Sequence, residues 1–272
     1  ATPKFIRYDV PISGFAEYFS PRTRVLILNN PNNPSGRIYT ETELRDLYWI
    51  CRERGVYLLV DEAYSDFVRE THEFKSLAAL VPDLDGVIVV NSLSKNLGMS
   101  GFRIGYVLAE KHLLNRILKL NQHLITCAPS MLAYYVAEYF DRIIDVTMPQ
   151  IRALVETRGR IAAFMDEIGV KYLPGGGTFY FFVSLADSPN SGFDLALELL
   201  LREHIGVVPG VAYGASTERF LRVSVGTESE ERIHDALRRI KRALQKPAID
   251  SGQLRSRLRQ MDLPLFQRRE RV

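Results

Sequence analysis

The stretch VIVVNSLSKNLGMSGFRIGY, residues 87–106, decides the fold of this chain. It opens on an apolar run, crosses a polar turn and returns to apolar residues at 104–108. Two similar runs precede it, RVLIL at 24–28 and VYLLV at 56–60. Continuous apolar runs are typical of strands that are buried on both faces of a sheet. We therefore predict an α/β fold with a mostly parallel sheet and helices on both faces.

Helical patterns alternate with these strands. A helix is predicted over about 41–54, because Thr40 and Glu43 have capping-box spacing and Gly55 stands where a C-terminal glycine belongs. Further helices are predicted at 111–122 and over 131–169, the latter with a break near Met148 and Pro149 and an end at Gly169. Beyond it, strands at 178–183, 206–210 and 220–225 alternate with helices near 193–204 and 228–244. The predicted organisation is a partial large domain (1–145), a smaller α+β C-terminal domain (146–244) and a basic tail (245–272).

Composition excludes several classes of protein. With 46% hydrophobic and 25% charged residues the chain has globular proportions, and it has no apolar run of the ~20 residues that a membrane helix needs. We expect a soluble cytoplasmic protein with no membrane partner. Cys51 and Cys127 are too few for a disulfide framework and lack metal-ligand spacing, so no metal is predicted. The tail holds seven basic and three acidic residues. We interpret it as a solvated or disordered extension and predict no nucleic-acid partner.

Polar residues follow three of the predicted strands. They are NNPNNPSG at 29–36, DEAYSDF at 61–67 and NSLSKNLGMSGFRIGY at 91–106. Each set alone is ordinary turn or capping chemistry. Ligands of open α/β sheets collect at the carboxyl ends of strands, so the three sets together predict one site.

The three sets supply what a pyridoxal phosphate cofactor requires. These requirements are an amine for the aldehyde, an anion at the pyridine nitrogen, hydrogen bonds to the ring oxygen and donors for the phosphate. Lys95 can form the Schiff base, and Asp61 can keep the ring nitrogen protonated. The remaining candidates are Asn33 and Tyr64 for the ring oxygen, and Ser92, Ser94 and Arg103 for the phosphate.

From about Phe15 to Leu244 the sequence resembles the class I/II aminotransferases, which are fold-type I pyridoxal phosphate enzymes. NNPNNPSG, DEAY and SLSKNLGMSGFRIGY look like the signature motifs of this family, in the same order. The resemblance implies that Lys95 is the Schiff-base lysine and proton shuttle, and it assigns Asn33, Asp61, Tyr64, Ser92 and Arg103 the same roles as above. FLRVSVG at 220–226 resembles the strand whose arginine binds the substrate's α-carboxylate, which makes Arg222 a substrate-binding candidate.

The resemblance also implies a longer polypeptide and a partner subunit. Family members have a stretch before the first motif that supplies a phosphate-binding turn and a ring stacked on the cofactor. This chain opens at Ala1, after that stretch, so we expect the N-terminal portion and one face of the site to be absent. Family members are typically homodimers whose partner chain completes the pocket.

The leading functional hypothesis is a transaminase that moves an amino group between an amino acid and a 2-keto acid. Tyrosine in DEAY favours this branch over the acyl-transferring branch, which resembles DEAH. One alternative is another pyridoxal phosphate enzyme of the same fold, either a decarboxylase or a β-lyase. The other alternative is an inactive truncated homologue.

Overall fold

The computed structural model describes residues 1–69, 74–186 and 188–260, without the side chains of Arg255 and Arg259. The chain divides into two compact units. The first contains Ala1–Arg160 and Pro174–Tyr180, and the second contains Ile161–Leu173 and the described residues from Phe181 onward. The domain boundaries at 145 and 244 stay predictions. Across the described residues, no helix is both long and apolar enough to cross a lipid bilayer.

The sheet of the first unit contains, in its described part, β1 (Val25–Asn29), β2 (Tyr57–Asp61), β3 (Val87–Ser92) and β4 (Gly105–Ala109) in that spatial order. β1 pairs with β2, and β2 with β3, in parallel, whereas β4 runs antiparallel to β3. The predicted α/β class with a mostly parallel sheet is confirmed. The smaller α+β C-terminal domain stays a prediction.

Helix α1 (Glu41–Glu53) connects the first two strands and begins as predicted. The Thr40 hydroxyl accepts a hydrogen bond from the Glu43 backbone N–H at 3.2 Å, and the Glu43 carboxylate accepts one from the Thr40 N–H at 2.9 Å. Gly55 adopts a left-handed φ of 62° directly after the helix, as expected of a C-terminal glycine. The further helices of this unit up to residue 124 are α2 (Leu77–Leu80), α3 (Leu93–Asn96) and α4 (Lys111–Leu124).

One apolar cluster of the first unit lies on one face of its sheet. Leu44 and Leu47 of α1 are completely buried in a cluster with alternate residues of the strands, such as Leu58 of β2. β3 is buried on both faces, as its apolar run predicts, but Ile27 of β1 is 70% exposed. Val25 on the same face of β1 is 41% exposed, so the prediction of burial on both faces is wrong for this strand.

Two consecutive helices follow, α5 (Ser130–Glu138) and α6 (Phe140–Glu167). The predicted break near Met148 and Pro149 is wrong, because Pro149 lies inside α6 and the interruption falls at Tyr139. Proline removes one helical hydrogen bond. Met148 and Ile151, on either side of it, pack into an apolar cluster, and this packing holds the helix together. Gly169, with a φ of 70°, follows the helix end as predicted.

A second sheet contains β5 (Tyr180–Ser184), β6 (Val208–Pro209) and β7 (Phe220–Ser224) in the order β5-β7-β6, with β6 antiparallel to β7. β6 is shorter than predicted, because Pro209 lacks an N–H and Gly210 begins a 3-10 turn. Helices α7 (Gly192–Glu203), α8 (Glu230–Leu244) and α9 (Ser251–Gln260) complete the described part.

The first part of the basic tail is a packed helix, so the prediction of a solvated or disordered extension is wrong for Ser251–Gln260. Leu254 and Leu258, four residues apart on one face of α9, are buried against Leu201 of α7. The Asp250 carboxylate accepts hydrogen bonds from the N–H groups of Gly252 and Gln253 and so caps the helix. Three of the tail arginines, Arg268, Arg269 and Arg271, lie outside the described residues.

Candidate active site

Three loops leave the same edge of the first sheet. Asn29 and Asp61 are partners in the β1–β2 register, and Asp61 is the partner of Val90 in the β2–β3 register. Because these strands are parallel, the polar sequences that follow them start side by side. The first unit therefore carries Lys95, Asp61 and the five other candidates predicted around the cofactor on loops that share this edge.

The first loop holds Asn33 by its backbone. The Asn33 N–H donates to the Asn29 side-chain oxygen at 2.5 Å, and the Asn29 amide donates to the Asp61 carbonyl at 3.4 Å. Asn30 is fully buried, and its side-chain oxygen accepts a hydrogen bond from the Tyr39 N–H at 3.0 Å. Asn29 and Asn30, which the sequence analysis left without a role, therefore fix the loop that carries Asn33.

The second loop contains two adjacent acids in different surroundings. Asp61 accepts a hydrogen bond from the Ala63 N–H through Oδ1 at 3.0 Å, and its Oδ2 accepts none from the described residues. Glu62 is buried and accepts a hydrogen bond from the Leu77 N–H at 2.8 Å, and burial raises the pKa of its carboxyl group. Glu62 therefore supports the start of α2, while Asp61 keeps an oxygen available for a ligand.

Tyr64, also on the second loop, is buried among aromatic rings. Its hydroxyl donates to the Tyr180 hydroxyl at 3.3 Å, and the rings of Phe67, Phe179 and Tyr180 meet it edge-on at 5.6–6.0 Å between centroids. Such edge-to-face pairs fix ring orientation beyond the effect of area burial. The phenol is thus held rigidly, and Tyr180 is a contact of this candidate that the sequence analysis did not identify.

The third loop carries Lys95 in α3, a single helical turn. The Ser92 hydroxyl accepts a hydrogen bond from the Ser94 N–H at 3.2 Å and caps this turn. Lys95 is partly buried, and its amine forms no hydrogen bond or ion pair within the described residues. Asn96, the next residue, is buried and hydrogen-bonds with Ser65 of the second loop.

The antiparallel return of β4 brings Arg103 back to the base of this loop. Ser92 pairs with Gly105, and the Leu93 N–H donates to the Ile104 carbonyl at 3.1 Å. A Cβ on Gly105 would stand 2.6 Å from the Asn91 carbonyl oxygen, so the close strand approach requires glycine. Arg103 is exposed and has a left-handed φ of 57°, and it donates one hydrogen bond to the Ser100 carbonyl at 2.9 Å.

A fourth segment, Pro174–Tyr180, joins the first two loops. The Gly177 N–H donates to the Gly36 carbonyl and the Thr178 N–H to the Phe67 carbonyl, both at 2.9 Å. Arg158 of α6, which is 5% exposed, donates to the Gly175 carbonyl at 2.8 Å. The triple glycine at 175–177 allows this close backbone approach, because a Cβ at Gly175 would stand 2.4 Å from the Gly36 carbonyl carbon.

Arg222 belongs to the second unit. It lies on β7 opposite Val208, and its guanidinium carbon is 5.5 Å from the centroid of the Tyr213 ring. Its assignment to the substrate carboxylate stays a prediction.

The chemical groups of the first unit fit pyridoxal phosphate. Lys95 offers an amine without a partner among the described residues, and Asp61 offers a carboxylate oxygen without a donor. The other predicted hydrogen-bonding groups lie on the same three loops, namely the Asn33 amide, the Tyr64 phenol, the Ser92 and Ser94 hydroxyls and the Arg103 guanidinium. An amine, an acid and a set of phosphate donors on adjoining loops are what this cofactor requires.

Comparison with known proteins gives consistent relatives. The family "Aminotransferase class I and II" matches residues 13–240. "Putative aminotransferase YugH" of Bacillus subtilis is 31% identical over 239 residues, which are 88% of this chain and 61% of that protein. "Aromatic-amino-acid aminotransferase 2" of Thermococcus litoralis is 27% identical over 245 residues, which are 89% of this chain and 62% of that protein.

Solved structures agree with these relatives. An aromatic aminotransferase from Pyrococcus horikoshii superposes with a TM-score of 0.81 at 26% identity, over 88% of this chain and 64% of that one. This chain spans about three fifths of the length of the relatives that it matches. The family match over most of the residues, together with these relatives, shows that the chain belongs to the class I and II aminotransferases.

Proposed function

We propose that this chain provides the cofactor- and substrate-binding residues of a pyridoxal phosphate-dependent aminotransferase, which moves an amino group between an amino acid and a 2-keto acid. The observation that carries the proposal is the common sheet edge from which the loops of Asp61 and Lys95 leave. Class I and II aminotransferases depend on pyridoxal phosphate. When bound, this group supplies an electron sink for the negative charge that develops at Cα.

Each residue has a defined task in this proposal. The Lys95 amine would hold the cofactor through its aldehyde and would move the proton at Cα of the substrate. The Asp61 carboxylate binds the pyridine nitrogen through its available oxygen. Asn33 and Tyr64 bind the ring oxygen, Ser92, Ser94 and Arg103 bind the phosphate, and Arg222 binds the substrate's α-carboxylate. An arginine suits the last task because its planar guanidinium binds a carboxylate bidentately.

We further propose that the protein is a homodimer. Several large apolar side chains on α4, α5 and their connection are exposed, and they would be covered by a partner; they are Leu124, Ile125, Met131 and Tyr134. Exposed apolar area of this kind is typical of interaction surfaces. Light scattering behind a sizing column tests the proposal, and a monomer at micromolar concentration would contradict it.

The cytoplasm is the proposed location. Cys127 is exposed and unpaired, and such thiols persist in a reducing compartment. Cys51 is also a free thiol, and burial raises its pKa to about 12, so it stays protonated and unreactive. Fractionation of cells, with the chain followed by antibody, tests this location, and recovery outside the cytoplasm would contradict it.

Cofactor trapping tests the central proposal. The purified chain is mixed with pyridoxal phosphate and reduced with borohydride, and the modified lysines are located by peptide mass spectrometry. We expect the label to concentrate on Lys95, and Lys95→Ala to lose both the label and the visible absorbance band. Lys111→Ala, at an exposed helix start, is the matched control and should keep both. A label spread evenly over surface lysines would overturn the proposal.

The reaction itself is tested with the loaded protein, an ¹⁵N-labelled amino acid and an unlabelled 2-keto acid. Transamination moves the label into a new amino acid. Release of labelled ammonia would indicate elimination, and release of carbon dioxide would indicate decarboxylation; either result without amino transfer would contradict the proposed reaction.

A further inference from the structure

A polar cluster of two buried asparagines and one half-buried serine lies beside Lys95. It consists of Ser65, Asn91 and Asn96, which come from three different places in the sequence. The Asn96 amide donates to the Ser65 hydroxyl at 3.1 Å and to the Asn91 side-chain oxygen at 3.3 Å, and the Asn91 amide lies 3.5 Å from the same hydroxyl. Asn91 and Asn96 are 7% and 6% exposed. We name these three residues the amide cluster.

The amide cluster connects the loops that carry the amine and the acid. Ser65 lies four residues after Asp61, Asn91 is near the end of β3, and Asn96 follows Lys95. The Asn91 side-chain oxygen also accepts a hydrogen bond from the Ser92 N–H at 2.7 Å, next to the residue that caps α3. The turn of Lys95 is thus tied to the adjoining loop from its C-terminal end and capped at its N-terminal end.

These ties are needed because α3 is only four residues long. A single helical turn has no stability of its own, since nucleation costs more than one hydrogen bond returns. Its position therefore depends on side chains that anchor it to neighbouring elements. Asn96 is the residue of α3 that is buried, and its amide reaches the second loop.

Stability alone does not account for an asparagine at this position. The Asn96 side-chain oxygen is buried and has no hydrogen-bond partner within the described residues. An unsatisfied buried acceptor costs about 1–3 kcal/mol. An amide that carries this cost while donating two hydrogen bonds is better explained by what it holds in place.

We propose that Asn96, acting through Ser65 and Asn91, is a positioning residue that holds the Lys95 amine in register with Asp61 for cofactor capture. This inference rests on the proposed function, because it assigns a role toward the same cofactor. It does not make Asn96 a catalytic residue, since the amide acts through Lys95.

Three substitutions test the inference. In each variant we measure the rate at which pyridoxal phosphate becomes attached to Lys95, by trapping it with borohydride at successive times. Asn96→Ala removes the side chain, Asn96→Asp keeps its shape but removes both donated hydrogen bonds, and Ser65→Ala removes the shared hydroxyl. We expect capture to slow about tenfold in each, because small displacements of a reacting group cost factors of ten to a hundred. Asn115→Ala, at an exposed position of α4, is the matched control and should capture at the wild-type rate.

Two further measurements separate positioning from structure. Circular dichroism in the visible cofactor band reports a single fixed orientation, so we expect it to weaken in Asn96→Asp even where trapping is complete. Combining Ser65→Ala with Asn96→Ala should slow capture no more than Asn96→Ala alone, as for residues that act together. Thermal unfolding of each variant identifies any that fails to fold, and Ser65→Ala then serves as the test.

The possible failures are distinguishable. If the wild-type chain captures the cofactor at Lys95, and Asn96→Asp and Ser65→Ala show the same rate and the same dichroism, the positioning role is overturned. The proposed function is then unaffected. Absence of selective capture in the wild-type chain would overturn the proposed function, and the inference with it.

Discussion

Gly177→Ala should weaken the junction between the first loop and the segment Pro174–Tyr180. A Cβ at Gly177 would stand 2.5 Å from the Cβ and 3.0 Å from the Cγ of Pro31, which is buried. Carbon atoms in contact are normally ~3.5–4.0 Å apart. The two segments must therefore separate by about 1 Å.

The segment cannot make this movement freely. Hydrogen bonds hold it on both sides of Gly177, from its own N–H to Gly36 and from the Thr178 N–H to Phe67. Overpacking of this kind costs about 1–3 kcal/mol, and loss of one of the hydrogen bonds would add roughly 1 kcal/mol. We expect the free energy of unfolding to fall by about 2–4 kcal/mol, and the melting temperature to fall by about 2–4 °C for each kcal/mol.

Urea and thermal denaturation of the purified chain measure the change. Gly206→Ala is the matched control, because its Cβ would meet no atom within 4 Å and the residue is exposed. It should be neutral or slightly stabilising, by reducing the freedom of the unfolded chain. If Gly177→Ala is as stable as Gly206→Ala, the segment does not pack on the first loop in the way described.

Three further predictions concern residues that support the fold. Burial raises the pKa of the Glu62 carboxyl group in the folded chain above its value of ~4.3 in the unfolded chain. The protonated carboxyl group therefore stabilises the fold at pH below ~4.3, and this stabilisation is lost as the pH rises through the pKa of the folded chain. Glu62→Gln should therefore flatten the fall in urea midpoint between acidic and neutral pH, and equal slopes in both proteins would contradict it. Thr40→Ala should cost about 1 kcal/mol in urea denaturation through loss of the α1 cap, whereas Thr40→Ser should retain the stability. Arg219 donates hydrogen bonds to the Asn190 carbonyl at 2.8 Å and to the Ser188 carbonyl at 2.6 Å. Arg219→Lys loses the planar guanidinium, so it should lower the free energy of unfolding by about 1.5–3 kcal/mol and speed hydrogen exchange at the start of α7. Unchanged exchange would contradict the role of Arg219 as an anchor.

Local patterns in the sequence predicted the first unit well. The boundaries of α1 follow from Thr40, Glu43 and Gly55, because caps are made by residues close in sequence. The strands β1 to β3 begin within a residue or so of their apolar runs for a similar reason. Because these strands are parallel neighbours, their polar loops begin next to one another at the same edge of the sheet.

Features that depend on distant contacts escaped prediction. Pro149 indicates a helix break by its own chemistry, whereas the helix continues through it and packs Met148 and Ile151 into an apolar cluster. The helix in the tail depends on a partner, Leu201, that lies about fifty residues earlier. Ser65, Asn91 and Asn96 are ordinary turn residues until the fold brings them together. Nothing in their spacing indicates a cluster.

The antiparallel pairing of β4 with β3 closes the segment between Ser92 and Gly105 at its base. Both ends of this excursion are fixed by the ladder, so changes of length or composition within it need not disturb the rest of the sheet. Lys95 and Arg103 thus lie on one loop between two paired strand ends. A movement of either strand would therefore shift Lys95 and Arg103 together, because both residues lie on one loop whose two ends are fixed by the same strand pair.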